Sequence, residues 1–371
     1  MQHTRFMASA MRYARRGVYN TSPNPNVGCV IVKDNQEIAV GWHHKAGEAH
    51  AEINALNRAG ESAEGATAYV TLEPCSHQGK TGPCANALIE AGISIVYVAM
   101  QDPNPLVAGK GIQLLRDAGI EVNVGLLEAR ARLLNPGFIK RMESGLPFVR
   151  VKMAMSLDGR TAMASGESKW VTGPDARQDV QHMRARSSAI LTGIGTVLAD
   201  DPSMNVRLDD DAIGSHKQTR QPLRVVLDTE GRLPSDAKML NLEGPVLLLT
   251  ADKSKVFEHA NLLVEEVPVK NGKLDLHEVM KVLVKHELND VHVEAGSVLS
   301  GALLSESLVD EVVVYLASHL MGDDAQGLFS LPGIKSMQER IDLKIEDIRA
   351  VGDDWRITAM PVLNKDRLEQ K

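Results

Sequence analysis

Apolar positions along the chain fall into two alternating rhythms. Phe6, Met7, Ala10, Met11 and Ala14 recur at helical spacing behind Thr4, a candidate N-cap, and Gly17 closes the run. Ser22-Pro23-Asn24-Pro25-Asn26 is rigid and non-helical, and it leads into a continuous apolar strand, Val27 to Val32. A strand at Ile38 to Val40, a helix Ala51 to Ala59 closed by Gly60, and a strand Ala68 to Leu72 follow. Next come a helix opened at Pro83-Cys84 and closed by Gly92, and a strand Ile95 to Ala99. A helix near Gly111 to Ala118 and a short strand Glu121 to Val124 end the series, which is the alternation of a layered α/β domain.

Leu126 to Met142 reads as a helix interrupted at Asn135-Pro136-Gly137, and Glu143-Ser144-Gly145-Leu146-Pro147 breaks the pattern. The break predicts domains at 1–145 and 146–371, and 371 residues suffice for two separate cores. The second half opens on a strand running into a turn, Pro147 to Arg160. Strands at Ala189 to Leu191, Leu223 to Leu227, Val246 to Leu249, Val291 to Val293 and Val312 to Leu316 alternate with helices such as Pro174 to Ala185 and Asp275 to His286. Leu343 to Arg349 and Trp355 to Met360, split by Gly352-Asp353-Asp354, predict an antiparallel hairpin on a mixed sheet.

The composition, 43% hydrophobic and 24% charged, is that of a globular protein. A net charge of −7 and 4% aromatic residues disfavour nucleic acid as a partner. Neither a signal-peptide core nor an apolar run long enough to span a membrane is present, so a cytoplasmic protein is expected. Of three cysteines, Cys29 lies inside an apolar strand and reads as a buried thiol.

The remaining two, Cys75 and Cys84, join His50 as one imidazole and two thiols, the ligands of a zinc that keeps a fourth position open for water. Residues two apart in a helix interior point about 200° away from each other, so His50 and Glu52 can share a site only at a helix N-terminus. Gly47-Glu48-Ala49 before the helical run supplies that terminus. Cys84 lies at another, where the helix dipole favours a thiolate. Zinc deaminases carry a carboxylate that is not a ligand two residues after the histidine and use it to move protons, which assigns Glu52 the general acid/base role.

The run Thr71-Leu72-Glu73-Pro74-Cys75-Ser76-His77, followed by Gly79-Lys80-Thr81-Gly82-Pro83-Cys84, resembles the bifunctional riboflavin-biosynthesis deaminase/reductase family of bacteria. The interval of nine between the cysteines, rather than three, is a mark of that branch. Pro147 to Arg160 resembles the opening strand of the family's reductase. Ala164 to Thr172 and Gly195 to Pro202 match it in order and wording.

The resemblance implies an N-terminal cytidine-deaminase-like three-layer domain and a C-terminal dihydrofolate-reductase-like domain with a mixed sheet. It implies one Zn2+ per deaminase domain and NADPH in the reductase. The deaminase would remove the amine at C2 of a 2,5-diamino-6-ribosylamino-pyrimidinone 5′-phosphate, and the reductase would convert the ribosyl chain to ribityl. Asn24, His77 and Lys80 would contact the pyrimidine substrate. Ala154, Trp170, Thr196, Asp200, Thr229 and the run Gly296, Ser297, Val298, Leu299, Ser300, Gly301 and Ala302 would contact NADP. Ser168, Arg184, Met204, Arg207 and Glu294 would contact the ribosyl substrate. Arg184 and Arg207 offer planar forks to its phosphate, and Lys152 and Glu294 would polarise the reacting carbon. Small phosphorylated pyrimidines are the expected partners, with no membrane or nucleic acid, and a homo-oligomer (dimer or tetramer) is expected.

From the residues alone, Val293 to Ala302 is a strand turning through glycine into a helix whose N–H groups can hold a phosphate. Gly193-Ile194-Gly195 fails the dinucleotide fingerprint because Leu198 stands where the third glycine belongs. Two other readings stay open here. One is a nucleoside or tRNA deaminase with an unrelated C-terminal extension. The other is a non-catalytic protein with a structural zinc, whose fourth ligand would be His43, His44 or His77.

Overall fold

The structure, a computed structural model, describes residues 2–76, 82–105, 107–209 and 220–362. The chain divides into two compact units, parting between Leu146 and Pro147.

The first unit runs α1 (Gln2–Ala14), β1 (Gly28–Lys33), β2 (Gln36–Trp42), α2 (Ala51–Ala59), β3 (Thr67–Val70), α3 (Cys84–Glu90), β4 (Ile95–Val98), α4 (Lys110–Asp117), β5 (Glu121–Val124), α5 (Glu128–Arg132) and α6 (Pro136–Ser144). Its strands form one sheet in the order β2-β1-β3-β4-β5, antiparallel around β1 and parallel from β3 to β5. Both faces of β1 are covered. Cys29 and Ile31 pack with Ala51, Ala55, Ala85 and Leu88 of α2 and α3, while Val30 and Val32 pack with Phe6, Met7 and Met11 of α1 and Phe138 of α6. Burial on two faces is why this strand is apolar without alternation.

Thr4 does not cap α1; it lies inside a helix that starts at Gln2. The buried stripe Phe6, Met7, Ala10 and Met11 fixes the helix, and burial outweighs a local capping preference. Pro136 takes the first position of α6, so the interruption at Asn135-Pro136-Gly137 separates two helices.

The second unit contains β6 (Phe148–Ser156), β7 (Arg160–Ala162), α7 (Pro174–Arg186), β8 (Ala189–Gly193), α8 (Ile194–Asp200), β9 (Leu223–Leu227), β10 (Val246–Thr250), β11 (Leu262–Glu266), β12 (Val269–Lys270), β13 (Lys273–Leu274), α9 (Leu276–Lys285), β14 (Asp290–Val293), α10 (Ser297–Ser305), β15 (Glu311–Ala317), β16 (Gln326–Gly327), β17 (Leu343–Val351) and β18 (Asp354–Pro361). Nine strands make one mixed sheet, β11-β10-β9-β8-β14-β6-β15-β18-β17. It is parallel from β11 to β15, and the β17–β18 hairpin adds antiparallel to β15 with Ile348 opposite Ile357. Asp275 caps α9 by accepting from the N–H groups of His277 and Glu278. Among the described residues, no helix is long and apolar enough to cross a membrane.

One backbone contact in the first unit positions the helix that carries His50 and Glu52. A Cβ on Gly41 of β2 would lie 2.2 Å from the carbonyl oxygen of Ala51. Only a glycine lets α2 approach so closely. Gly41→Ala is therefore expected to destabilise the first unit by about 1–3 kcal/mol, the range for overpacking. Thermal denaturation, with the reductase activity followed as an internal control, checks this.

Candidate active sites

In the first unit two helix N-termini meet. His50 is the N-cap residue of α2 with extended backbone, and Cys84 is the first residue of α3 behind Pro83. The His50 Nδ1 atom lies 3.3 Å from Cys84 Sγ and 3.6 Å from Cys75 Sγ. All three donor atoms fall within 4.8 Å of one another. Tetrahedral zinc with Zn–S near 2.3 Å and Zn–N near 2.0 Å puts N and S about 3.5 Å apart, so the residues fit the ion.

The electrostatics agree. The Cys75 sulfur accepts hydrogen bonds from the Cys84 thiol, from His50 and from the Cys84 N–H at 3.3 Å, and its pKa falls to about 4. The Cys84 thiol, donating to Cys75 and buried beside Glu52, moves upward. One proton is thus held between two sulfurs, a place for positive charge that a divalent cation fills better.

Glu52, in the first turn of α2, is 3% exposed. Burial raises its carboxyl to about 7, with a further push from the Cys75 thiolate. Its carboxylate does not belong to the metal-ligating group. Among the described residues, no fourth protein ligand joins the triad. His43 is engaged elsewhere: Nδ1 faces the Ala49 carbonyl at 3.1 Å and Nε2 faces Asn24 Nδ2 at 3.2 Å. His44 lies against the Trp42 ring. His77 and Lys80 lie outside the described residues.

Two residues here have roles that the sequence reading did not assign. His43 carries its proton on Nδ1, donated to the Ala49 carbonyl, and accepts from the Asn24 amide, so Asn24 keeps its carbonyl oxygen for another partner. Glu73, two positions before Cys75, takes four backbone N–H groups: Asp102 and Gly109 on Oε2, Gly111 and Ile112 on Oε1. The Glu-Pro-Cys wording was visible, but its partners are all more than 25 residues away.

In the second unit the carboxyl ends of β14, β8 and β9 open into a cavity of about 1220 Å³. Lys152, Ala154, Ser168, Trp170, Arg184, Thr196, Asp200, Met204, Arg207, Thr229 and Glu294 all line it, with Gly296, Ser297, Val298, Leu299 and Ala302. Ser300 and Gly301 do not. Ser300 is fully buried, and a Cβ on Gly301 would sit 2.1 Å from the Ser330 carbonyl oxygen. Helical periodicity turns these two residues of α10 away from the cavity that their neighbours face.

Arg184 also differs from its sequence expectation of an open fork. Its Nε and Nη2 donate to Glu294 at 2.6 and 2.8 Å, and Nη1 donates to the Asn205 carbonyl. Burial alone would raise the Glu294 carboxyl, but this bidentate pair overrides it and holds the group well below the carboxylate range. Arg207 is exposed at the rim, with one bond to Asn205 Oδ1. Burial lowers the Lys152 pKa, opposed by the Glu294 charge. The Arg177 guanidinium lies 4.6 Å from the Trp170 ring centre.

A zinc triad at paired helix starts with a buried glutamate beside it, and a sheet-end cavity in a second core, define a hydrolytic deaminase joined to a second enzyme. The profile for the cytidine and deoxycytidylate deaminase zinc-binding region matches residues 1–100, and that for the RibD C-terminal domain matches residues 147–357. The riboflavin biosynthesis protein RibD of Escherichia coli (strain K12) is 48% identical over 95% of this chain and 98% of its own length. That of Haemophilus influenzae is 49% identical over 96% of each. The solved structure of Acinetobacter baumannii RibD superposes with a TM-score of 0.90 at 47% identity, covering 98% of this chain and 99% of that one. The chain belongs to the RibD family: it is a bifunctional enzyme of riboflavin biosynthesis, a zinc-dependent deaminase and an NADPH-dependent reductase. The match across 147–357 leaves no room for an unrelated C-terminal extension.

Replacing Cys84 with serine removes one of the two sulfurs. Zinc content measured by elemental analysis is expected to fall well below that of the unmodified protein; unchanged stoichiometry would show that Cys84 is not a ligand.

Proposed function

We propose that residues 1–145 deaminate 2,5-diamino-6-(5-phosphoribosylamino)pyrimidin-4-one at C2 and that residues 146–371 then reduce the ribosyl chain of 5-amino-6-(5-phosphoribosylamino)uracil to ribityl. A Thermotoga maritima structure described as a diaminohydroxyphosphoribosylaminopyrimidine deaminase/5-amino-6-(5-phosphoribosylamino)uracil reductase superposes with a TM-score of 0.86 at 33% identity, over 97% of this chain and 99% of that one. The observation that carries the first half is the near-neutral Glu52 carboxyl beside, and not within, the His50–Cys75–Cys84 triad.

Zinc on His50, Cys75 and Cys84 supplies Lewis acidity that brings a water's pKa toward ~7. Glu52 takes a proton from the attacking water as its oxygen bonds to C2, and passes it to the adjacent ring nitrogen. It then carries the water's second proton to the departing amine, which leaves as ammonia. A group titrating near 7 can both accept and give a proton at neutral pH. Asn24, its amide fixed by His43, turns its carbonyl oxygen to the pyrimidine. His77 and Lys80 complete the substrate contacts.

In the second cavity NADPH supplies hydride to the sugar C1′. Lys152 donates a proton to the sugar as its ring opens, a step eased by its lowered pKa. Glu294, pinned by Arg184, orients the substrate, and Arg207 at the rim takes the 5′-phosphate with Ser168 and Met204 alongside. Ala154, Trp170, Thr196, Asp200, Thr229 and the start of α10 would hold the cofactor, the helix start offering backbone N–H groups to a phosphate. Ser300 and Gly301 support α10 from its buried side.

The enzyme works in the cytosol as a homo-oligomer, a dimer or tetramer. Its cysteines are all free, as a reducing compartment keeps them. The β17–β18 hairpin at the sheet edge exposes Leu343, Ile345, Ile348, Trp355 and Met360, an apolar patch suited to a second copy.

Glu52→Gln keeps the side-chain shape and removes the titrating group. Ammonia release is expected to drop by about 10²- to 10⁴-fold with zinc content unchanged; near-normal turnover would remove Glu52 from the mechanism. NADPH oxidation by the unmodified enzyme is expected only with the deaminated pyrimidine, and equal efficiency on an unrelated carbonyl would contradict the substrate.

A further inference from the structure

The loop before β1 is tied to residues 109 positions further along the chain. Asn135 lies between α5 and α6, and its side-chain amide closes on the backbone of Asn26 as a neighbouring strand would. Its Oδ1 accepts the Asn26 N–H at 2.6 Å, and its Nδ2 donates to the Asn26 carbonyl at 2.9 Å. The Asn26 side chain completes the junction: Nδ2 donates to the Leu134 carbonyl at 3.3 Å, and Oδ1 accepts the Thr21 hydroxyl at 2.7 Å. Asn24 stands between these two anchors, its N–H on the Thr21 carbonyl at 2.8 Å and its amide on His43.

Asn135 gives up a local bond for this one. It is the N-cap residue of α6, where an asparagine ordinarily accepts an N–H from the first turn, yet its side chain makes no cap hydrogen bond. The amide serves Asn26 instead. Its base is firm: Asn135 is 8% exposed, and α6 sends Phe138 and Ile139 into the core that holds Phe6, Met7 and Val30. An amide paired at both ends fixes orientation as well as distance, because exchanging its oxygen and nitrogen would oppose like groups. The loop is thus set from outside residues 1–100, the stretch that the deaminase profile matches.

We propose that Asn135 is a positioning residue of the deaminase: it holds the loop of residues 21–26 so that Asn24 meets the pyrimidine. The junction of α5 and α6 then belongs functionally to the first active site. The inference rests on the Asn24 contact proposed above. Asn135 acts through Asn26 and the loop and is not itself a substrate contact. Its loss releases one end of the loop, so substrate binding weakens, while His50, Cys75 and Cys84 keep the geometry of the metal-ligating group. The signature is a change in KM rather than in kcat.

The test measures ammonia release by the full-length enzyme from 2,5-diamino-6-(5-phosphoribosylamino)pyrimidin-4-one, with zinc content and the reductase KM as controls. Asn135→Ser is the informative variant, since serine caps a helix as well as asparagine but its single hydroxyl cannot pair both groups of Asn26. KM is expected to rise about tenfold, the scale of one lost hydrogen bond, with kcat and zinc content unchanged. Asn135→Asp, which sets an oxygen against the Asn26 carbonyl, should raise KM at least as far. Asn24→Ala should match Asn135→Ser, and the double variant should stay at about tenfold rather than about a hundredfold, because both act through one contact. Effects that multiply overturn the inference, as does an unchanged KM in both Asn135 variants beside a raised one in Asn24→Ala. Loss of zinc or of folded protein at unchanged KM also overturns it, marking Asn135 as a packing residue alone. If Asn24→Ala itself leaves KM unchanged, the Asn24 contact fails and takes the inference with it.

Discussion

The first unit depends on the meeting of two helix starts around three donor atoms. Backbone N–H groups at the N-termini of α2 and α3 carry partial positive charge, and the thiolate form is favoured at Cys75, which accepts both the N–H and the thiol of Cys84. The same start places Glu52 in the first turn of α2, buried and close to the sulfurs. Desolvation and negative neighbours raise its pKa by the same geometry that assembles the triad. The metal-binding and proton-transferring functions are therefore two results of one packing arrangement, and Gly41, which lets α2 lie against β2, belongs to it without touching any reacting atom.

The second unit solves a different electrostatic problem. Its cavity must accept phosphorylated ligands in a chain with a net charge of −7. It does so by pairing most of its ions internally: Arg184 with Glu294, Lys169 with Asp200, Lys270 with Glu306 and Arg232 with Glu230. Such pairs fix side-chain positions at little net field. Four cations of the lining, Lys152, Arg177, Arg207 and Lys273, stand outside these pairs, and of them Arg207 is exposed at the rim. An open fork at Arg184 would have served as a phosphate ligand, but Glu294 would then be a buried charge without a partner, which is far costlier.

What the sequence disclosed follows from the range of the interactions involved. Periodicity and glycine or proline punctuation located the helices and strands of the first unit and the central ones of the second, because those signals lie within a few residues of each other; the short β7, β12, β13 and β16, the edge strand β11 and the two-turn α8 were not read. The helix-start argument placed His50 and Glu52 together for the same reason. Thr4 misled because a capping preference of about 1 kcal/mol yields to the burial of Phe6 and Met7. Ser300 and Gly301 were grouped with their neighbours because a motif is read linearly, while a helix turns about 100° per residue. The pairings of Arg184, His43 and Glu73 had no signature in the sequence. Their partners are Glu294, Asn24 and the 102–112 segment, distances along the chain at which no local pattern exists.

Two separate cores have a consequence for how the two activities respond to substitution. The clusters around Cys29 and Phe6 contain residues of the first unit alone, and those around Ile190 and Val313 residues of the second alone. Substitutions without shared contacts have nearly additive effects. A cavity cut beneath α2 should therefore loosen the zinc ligands while leaving the geometry of Glu294 and Arg184 intact, and each activity becomes a local thermometer for its own core. Loss of one activity with retention of the other thus separates damage to chemistry or packing in one unit from unfolding of the chain.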